Sequence, residues 1–184
     1  MGLHLIGWQD TLYAGSHGCN GPESCRPTRQ YYEDALIEGS VDFVFGDALA
    51  WFERPELRGV NRGKITVTAQ SRRVPQQRSG YVFHDCKVTG DASVQTISLG
   101  RPWRDYATVT YIDCWLDARV LPEGFTEWQG EHRLPTARYM IIDATGPGSD
   151  TNAREPWMIS ADAEARSILS TPERYFAEYA QGGE

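Results

Sequence analysis

Several shortages in this 184-residue chain narrow its class before any motif is considered. Of 18 basic side chains only Lys64 and Lys87 are lysines, and no Lys/Arg run forms a stripe that could follow a phosphate backbone. Acidic residues outnumber basic ones by 25 to 18, a net charge of −7 that argues against nucleic acid as a partner. No apolar run approaches the ~20 residues of a bilayer span, so no membrane partner is expected. The amino terminus, Met1-Gly2-Leu3-His4-Leu5-Ile6-Gly7-Trp8, lacks both the basic start and the long apolar core of a signal peptide. Ile6 also stands where a myristoylation signal needs Ser or Thr. That segment reads as the middle of a strand, as if the chain began inside a fold.

Cysteine is scarce, with four residues in two pairs. Cys19 and Cys25 flank a Gly/Pro loop, and a disulfide closing it would suit an exported protein. Metal binding is the weaker alternative, because this C-x5-C has no second pair of ligands nearby. No metal site is therefore expected. His4, His17, His84 and His132 have no carboxylate-and-nucleophile arrangement around them and read as structural or exposed. Ser40 lacks a G-x-S-x-G context, which argues against a serine esterase of the α/β-hydrolase type.

A hydrophobic share of 40% with 11% aromatics is enough for one cored domain and excludes disorder. A degenerate repeat organises it. Tyr32-x-x-Ala35-x-Ile37-x-Gly39 returns as Phe52-x-x-Pro55-x-Leu57-x-Gly59, Phe83-x-x-Cys86-x-Val88-x-Gly90 and Tyr111-x-x-Cys114-x-Leu116-x-Ala118. Each unit is a short alternating strand, and none carries the amphipathic helix of leucine-rich or ankyrin repeats. Stacked strand-rich units predict an all-β parallel β-helix over about residues 1–148, with matching positions ~4.8 Å apart. Cys86 and Cys114 then stack; their spacing permits a disulfide, though two such side chains in a ladder read as buried thiols. Residues 149–184 form a tail of one or two short helices. In the segment Ser170-Thr171-Pro172-Glu173, Ser170 or Thr171 can cap, Pro172 fits the first turn and Glu173 can close a capping box. No second domain is evident.

Asp42 is out of place in Gly39-Ser40-Val41-Asp42-Phe43-Val44-Phe45-Gly46, an otherwise apolar, strand-prone run where an unpaired acid is costly to bury. Asp10 stands 32 residues earlier, one coil of ~20–25 residues plus the Cys19–Cys25 loop. Two carboxylates facing each other across adjacent coils cannot both ionise cheaply, which splits them into a proton donor and an anionic nucleophile. Arg101 is the candidate guanidinium that orients one of them, and Gln9 can offer an amide N–H to a developing oxyanion.

Gln9-Asp10-Thr11-Leu12-Tyr13, the 39–46 run and Leu99-Gly100-Arg101-Pro102-Trp103 together resemble the carboxy-terminal signature motifs of the pectin methylesterases (carbohydrate esterase family 8). Val67-Thr68-Ala69-Gln70, the 80–86 segment, Gly124-Phe125-Thr126-Glu127-Trp128 and Gly146-Pro147-Gly148 extend the likeness in the same order. The resemblance implies a right-handed parallel β-helix without cofactor or metal, acting on methyl-esterified homogalacturonan in a surface cleft. It implies Asp42 as nucleophile, Asp10 as acid/base, Gln9 as oxyanion donor and Arg101 as the clamp on Asp42. Trp103 and Phe43 would be substrate contacts. A monomeric, secreted or periplasmic protein is expected.

Two amino-terminal motifs of that family, one carrying a second oxyanion glutamine, are missing before Gln9. The expectation is an amino-terminally truncated catalytic domain. Losing such a donor costs ~2.7–4 kcal/mol of transition-state stabilisation, and missing coils would leave the strand near Leu3–Trp8 as an uncapped, aggregation-prone end, so weak activity or poor solubility is expected. Two further functions stay open: an acyl-thioesterase on the same scaffold, and a non-catalytic β-helix that binds polysaccharide.

Overall fold

In a computed structural model that describes residues 2–17 and 28–178, the chain winds through successive three-strand coils. The first coil holds β1 (His4–Ile6), β2 (Leu12–Tyr13) and β3 (Arg29–Glu33), and the second β4 (Leu36–Gly39), β5 (Val41–Gly46) and β6 (Leu49–Glu53). The third is β7 (Glu56–Gly59), β8 (Lys64–Gln70) and β9 (Gly80–His84), and the fourth β10 (Lys87–Gly90), β11 (Thr96–Gly100) and β12 (Thr108–Ile112). A last, partial coil has β13 (Trp115–Leu116) and β14 (Arg138–Ile142). Equivalent strands pair in parallel as three sheets, β1-β4-β7-β10-β13, β2-β5-β8-β11 and β3-β6-β9-β12-β14. This is a parallel β-helix.

The repeat read from the sequence is the stacking register itself. Tyr32 pairs with Phe52, Phe52 with Phe83, and Phe83 with Tyr111; Ile37, Leu57, Val88 and Leu116 align on the neighbouring sheet. The four rings stack at centroid distances of 4.7, 4.6 and 4.9 Å. Each such contact adds about 0.5–1.5 kcal/mol beyond the area it buries. Between them, one residue per coil turns the corner: Asp34, Arg54, Asp85, Asp113 and Asp143 all hold φ of 48 to 57°. Asp tolerates this left-handed turn better than most side chains because its short carboxylate can bond locally.

Cys86 and Cys114 correct one expectation. They are joined as a disulfide rather than lying as two thiols, because in-register stacking brings their Cα atoms to 4.4 Å, within bonding range. Cys19 and Cys25 lie outside the described residues.

Coil pairing continues as far as the hydrogen bond from Gly148 N to Leu116 O, and the tail follows. It carries a 3₁₀ turn (Pro156–Met158), α1 (Ala163–Ile168) and α2 (Pro172–Glu178). Leu169 and Tyr175 cover the outer face of the third sheet at Leu49, Trp51, Val82, Ile112 and Ile142. Thr171 caps α2, its Oγ1 accepting from Arg174 N at 3.3 Å. The third helical position is thus Arg174, so Glu173 is one place early for a capping box. Asp162, which caps α1 through Ala165 N, was not picked out by sequence reading.

Candidate active site

Asp10 and Asp42 occupy one station on adjacent coils. Gln9 bridges to Val41 and Leu12 pairs with Val44, which puts the two acids in register. Both are left-handed, with φ of 55° and 52°. Against β8, β5 carries an extra residue: Val41 pairs with Thr66 but Val44 with Thr68. The bulge falls on Asp42 and Phe43 and breaks the strand's alternation there, as bulges beside functional sites do. Asp42 is turned to line a cleft, whereas Phe43 goes inward and is 0% exposed within the core cluster. Phe43 therefore cannot touch a substrate in the cleft, and its expected contact role is corrected. Phe45, two residues on, lines the cleft.

Arg101 follows β11, where its N–H donates to Thr68 O at 2.9 Å. Gly100 makes that approach possible, since a Cβ there would collide with Thr68 Oγ1. From this anchor Arg101 donates twice to Asp42, Nε to Oδ1 at 2.9 Å and Nη2 to Oδ2 at 2.7 Å. The Asp42 side chain is 7% exposed and that of Arg101 17%. A two-pronged, charge-assisted contact so far from water fixes the plane of the carboxylate. The guanidinium face lies 4.4 Å from the ring of Trp128, so it is held on face and edge at once.

The cleft, about 160 Å³, is lined by Gln9, Asp10, Asp42, Phe45, Ala69, Trp103 and Trp128. Trp103 hangs on the coil through its N–H to Gln70 O (3.1 Å), with its ring 6.3 Å from Phe45 and 6.4 Å from Trp128. Asp10 sits exposed at the rim. Its pKa is raised, first by partial withdrawal from water and then by the charge of Asp42; the Gln9 hydrogen bond and Arg101 pull the other way. Gln9, Asp10, Asp42, Arg101 and Trp103, all expected from sequence, thus converge. Phe45, which also lines the cleft, was not singled out by sequence reading.

His84 lies elsewhere, on the third sheet, with Nδ1 3.0 Å from Glu53 Oε2 and Nε2 3.7 Å from Asp113. No nucleophile accompanies it in these contacts. Among the described residues no group of three or more His, Cys, Asp or Glu is placed to hold a metal ion.

A solenoid that presents two acids in register, one clamped by arginine, between aromatic walls holds a candidate acid–base site. The chain belongs to the pectinesterase family, whose model matches residues 2–176. It is 36% identical over 160 residues to pectinesterase 2 of Citrus sinensis, covering 82% of this chain and 29% of that protein. With pectinesterase 31 of Arabidopsis thaliana it shares 37% over 153 residues, covering 83% and 44%. The pectin methylesterase of Aspergillus niger superposes with a TM-score of 0.74 at 28% identity, over 96% of this chain and 54% of that one. The carrot pectin methylesterase, at 24% identity and a TM-score of 0.78 over 98% and 59%, shares the fold. The chain thus spans less than half the length of these two curated relatives.

Proposed function

We propose that this chain is a single catalytic unit that hydrolyses the methyl esters of polygalacturonate and releases methanol. The observation that carries the reading is the two-pronged Arg101–Asp42 contact with Asp10 in register one coil away. Asp42 attacks the ester carbonyl, and the resulting oxyanion accepts a hydrogen bond from the Gln9 amide. Collapse breaks the bond to the methoxy oxygen while Asp10 gives that oxygen its proton, leaving an acyl–Asp42 intermediate and methanol. Asp10, now a carboxylate, takes a proton from water as the water attacks the acyl carbon. Asp42 leaves as a carboxylate, and the product is a free galacturonate acid.

The raised pKa of Asp10 supports this role, since a donor must keep its proton where its neighbour stays anionic. Trp103 offers a sugar ring a flat face. The Cys86–Cys114 disulfide fits an oxidising compartment, secreted or periplasmic. The reading takes the protein to act as a monomer on pectin.

The test is methanol release from highly esterified pectin by the intact chain and by Asp42→Asn, with pectin binding measured alongside. Asparagine keeps the left-handed backbone and the shape of the site. Activity that disappears in the variant while binding persists supports the esterase. Binding without methanol from either protein points instead to a polysaccharide-binding solenoid.

A further inference from the structure

No strand or helix spans residues 101–107, the loop between β11 and β12 that carries Trp103, so its shape comes from the hydrogen bonds that tie it down. Two of these end on one residue. The main-chain oxygen of Gln70 accepts from Trp103 N at 3.1 Å, and its side-chain Oε1 accepts from Thr108 N at 3.0 Å. Gln70 thus holds the loop near its start and at its far end. The Trp103 carbonyl is taken by two arginines, Arg133 Nη1 at 2.6 Å and Arg104 Nη1 at 2.8 Å.

Gln70 closes β8 and is 0% exposed, whereas Ala69 beside it lines the cleft. Its amide is satisfied within the protein: Oε1 accepts a second bond, from Arg72 N at 2.9 Å, and Nε2 donates to Ser79 Oγ at 2.5 Å. Two backbone N–H groups on one atom and a hydroxyl on the other fix which end of the amide is oxygen. Arg72 adds a parallel tie, its carbonyl accepting from Tyr106 N at 3.2 Å and its Nη1 donating to Thr108 Oγ1 at 3.1 Å. Arg101 is anchored separately, by Thr68 O and by Asp42. A change in the Gln70 side chain therefore bears on Trp103 rather than on the clamp.

We propose that Gln70 is a positioning residue: its side chain sets the face of Trp103 against which a uronate ring rests, without touching the substrate itself. This rests on the esterase reading and names what holds one of its substrate contacts. Removing the amide leaves Thr108 N and Arg72 N without their acceptor and lets the loop shift at its far end. A ring face displaced from its sugar weakens binding, while Asp42 and Arg101 keep their geometry for the chemical step.

The experiment compares Gln70→Leu, similar in size but without polar atoms, and Ser79→Ala, which removes only the partner of Nε2, each alone and combined with Trp103→Ala. Two quantities are read: kcat and KM for methanol release from esterified pectin, and the calorimetric Kd for a methyl-esterified galacturonate hexamer on chains that also carry Asp42→Asn. Gln70→Leu should raise KM and Kd about fivefold and leave kcat within about twofold. Ser79→Ala, the milder change, should shift KM and Kd about twofold and reads the same tie if Gln70→Leu does not fold. Gln70→Glu keeps both acceptors, and the Ser79 hydroxyl can turn to donate to it, so KM should return to within about twofold of the unaltered chain. On the Trp103→Ala background neither Gln70→Leu nor Ser79→Ala should weaken binding further, whereas a merely structural role would carry the same loss into both backgrounds. Equal losses with and without Trp103, a fall in kcat in place of a rise in KM, or a hexamer that binds Trp103→Ala as well as the unaltered chain overturns the proposal. The expected Kd pattern in a chain that releases no methanol breaks the esterase reading alone, and methanol release with additive losses breaks only this one.

Discussion

At one corner of the solenoid Asp34, Arg54, Asp85, Asp113 and Asp143 hold φ of 48 to 57°, and on the second sheet Asp10 and Asp42 hold 55° and 52°. The backbone geometry is the same, but the surroundings differ. The corner residues recur once per coil, lie near the surface and serve a turn that each coil must make. Their ion pairs, such as Arg54 with Asp34 and Arg166 with Asp143, join side chains that are 42–60% exposed. Asp42 is set by a bulge that distinguishes its coil from the next, and it is buried against Arg101. A left-handed aspartate thus serves the turn where the chain rounds a corner, and at Asp42 it accompanies a bulge that sets the carboxylate against Arg101.

The strongest way to break this comparison is to remove one acid from each row. Asp42→Asn should lower methanol release on the order of 10⁴-fold or more, as loss of a nucleophile does. Asp85→Gly keeps the left-handed turn and removes the carboxylate, and methanol release should stay within about twofold. Comparable losses in the two variants would show that the rows are not functionally distinct.

Next in size is the stability of the two arginine clusters. Arg101→Gln leaves Asp42, 7% exposed, without its counter-charge, and breaking such a pair costs about 3–5 kcal/mol. Arg54→Gln removes contacts to Glu33, Asp34 and Glu53, but the Arg54 side chain is 42% exposed. The expected cost there is small, because solvent around Arg54 screens its pairs. Urea unfolding of both variants decides the matter, and an Arg101→Gln loss no larger than that of Arg54→Gln would count against the buried clamp.

Much of this contrast was legible in the chain. The ladder Tyr32, Phe52, Phe83 and Tyr111 could be read because each ring must meet its counterpart one coil away, which forces a recurring residue type at a recurring place. Gln9, Asp10, Asp42 and Arg101 could be read because an acid amid apolar strand residues calls for a partner. The direction of Phe43 could not. It depends on a bulge between β5 and β8, a mismatch of two strands that neither sequence contains alone. The Cys86–Cys114 bond was similarly open, because the repeat gives the spacing of two sulfurs and not their redox state.

The smallest expected effect is also the one most specific to the comparison, because Asp34 and Asp143 in one row and Asp10 in the other are shifted in opposite directions. Asp34 and Asp143 have lowered pKa values, chiefly from hydrogen bonds donated by Arg54 and Arg166. Their contributions to stability are present above the unfolded-state value and are lost as pH falls through the depressed folded values. Asp10 is raised, so its contribution is present below the unfolded-state value and is lost as pH rises through the folded one. These groups lie at the surface and solvent screens them, so the readout is each carboxyl's own titration by carbon-13 NMR rather than global stability. Asp42→Asn removes one of the two causes that raise Asp10 and should move its titration back toward the ordinary range, with Asp34 and Asp143 unchanged. Arg101→Gln removes a charge that lowers Asp10 and should move it further up. An Asp10 titration that stays put in both variants would mean that the two acids, though in register, are not electrically coupled, and the split into donor and nucleophile would lose its physical basis.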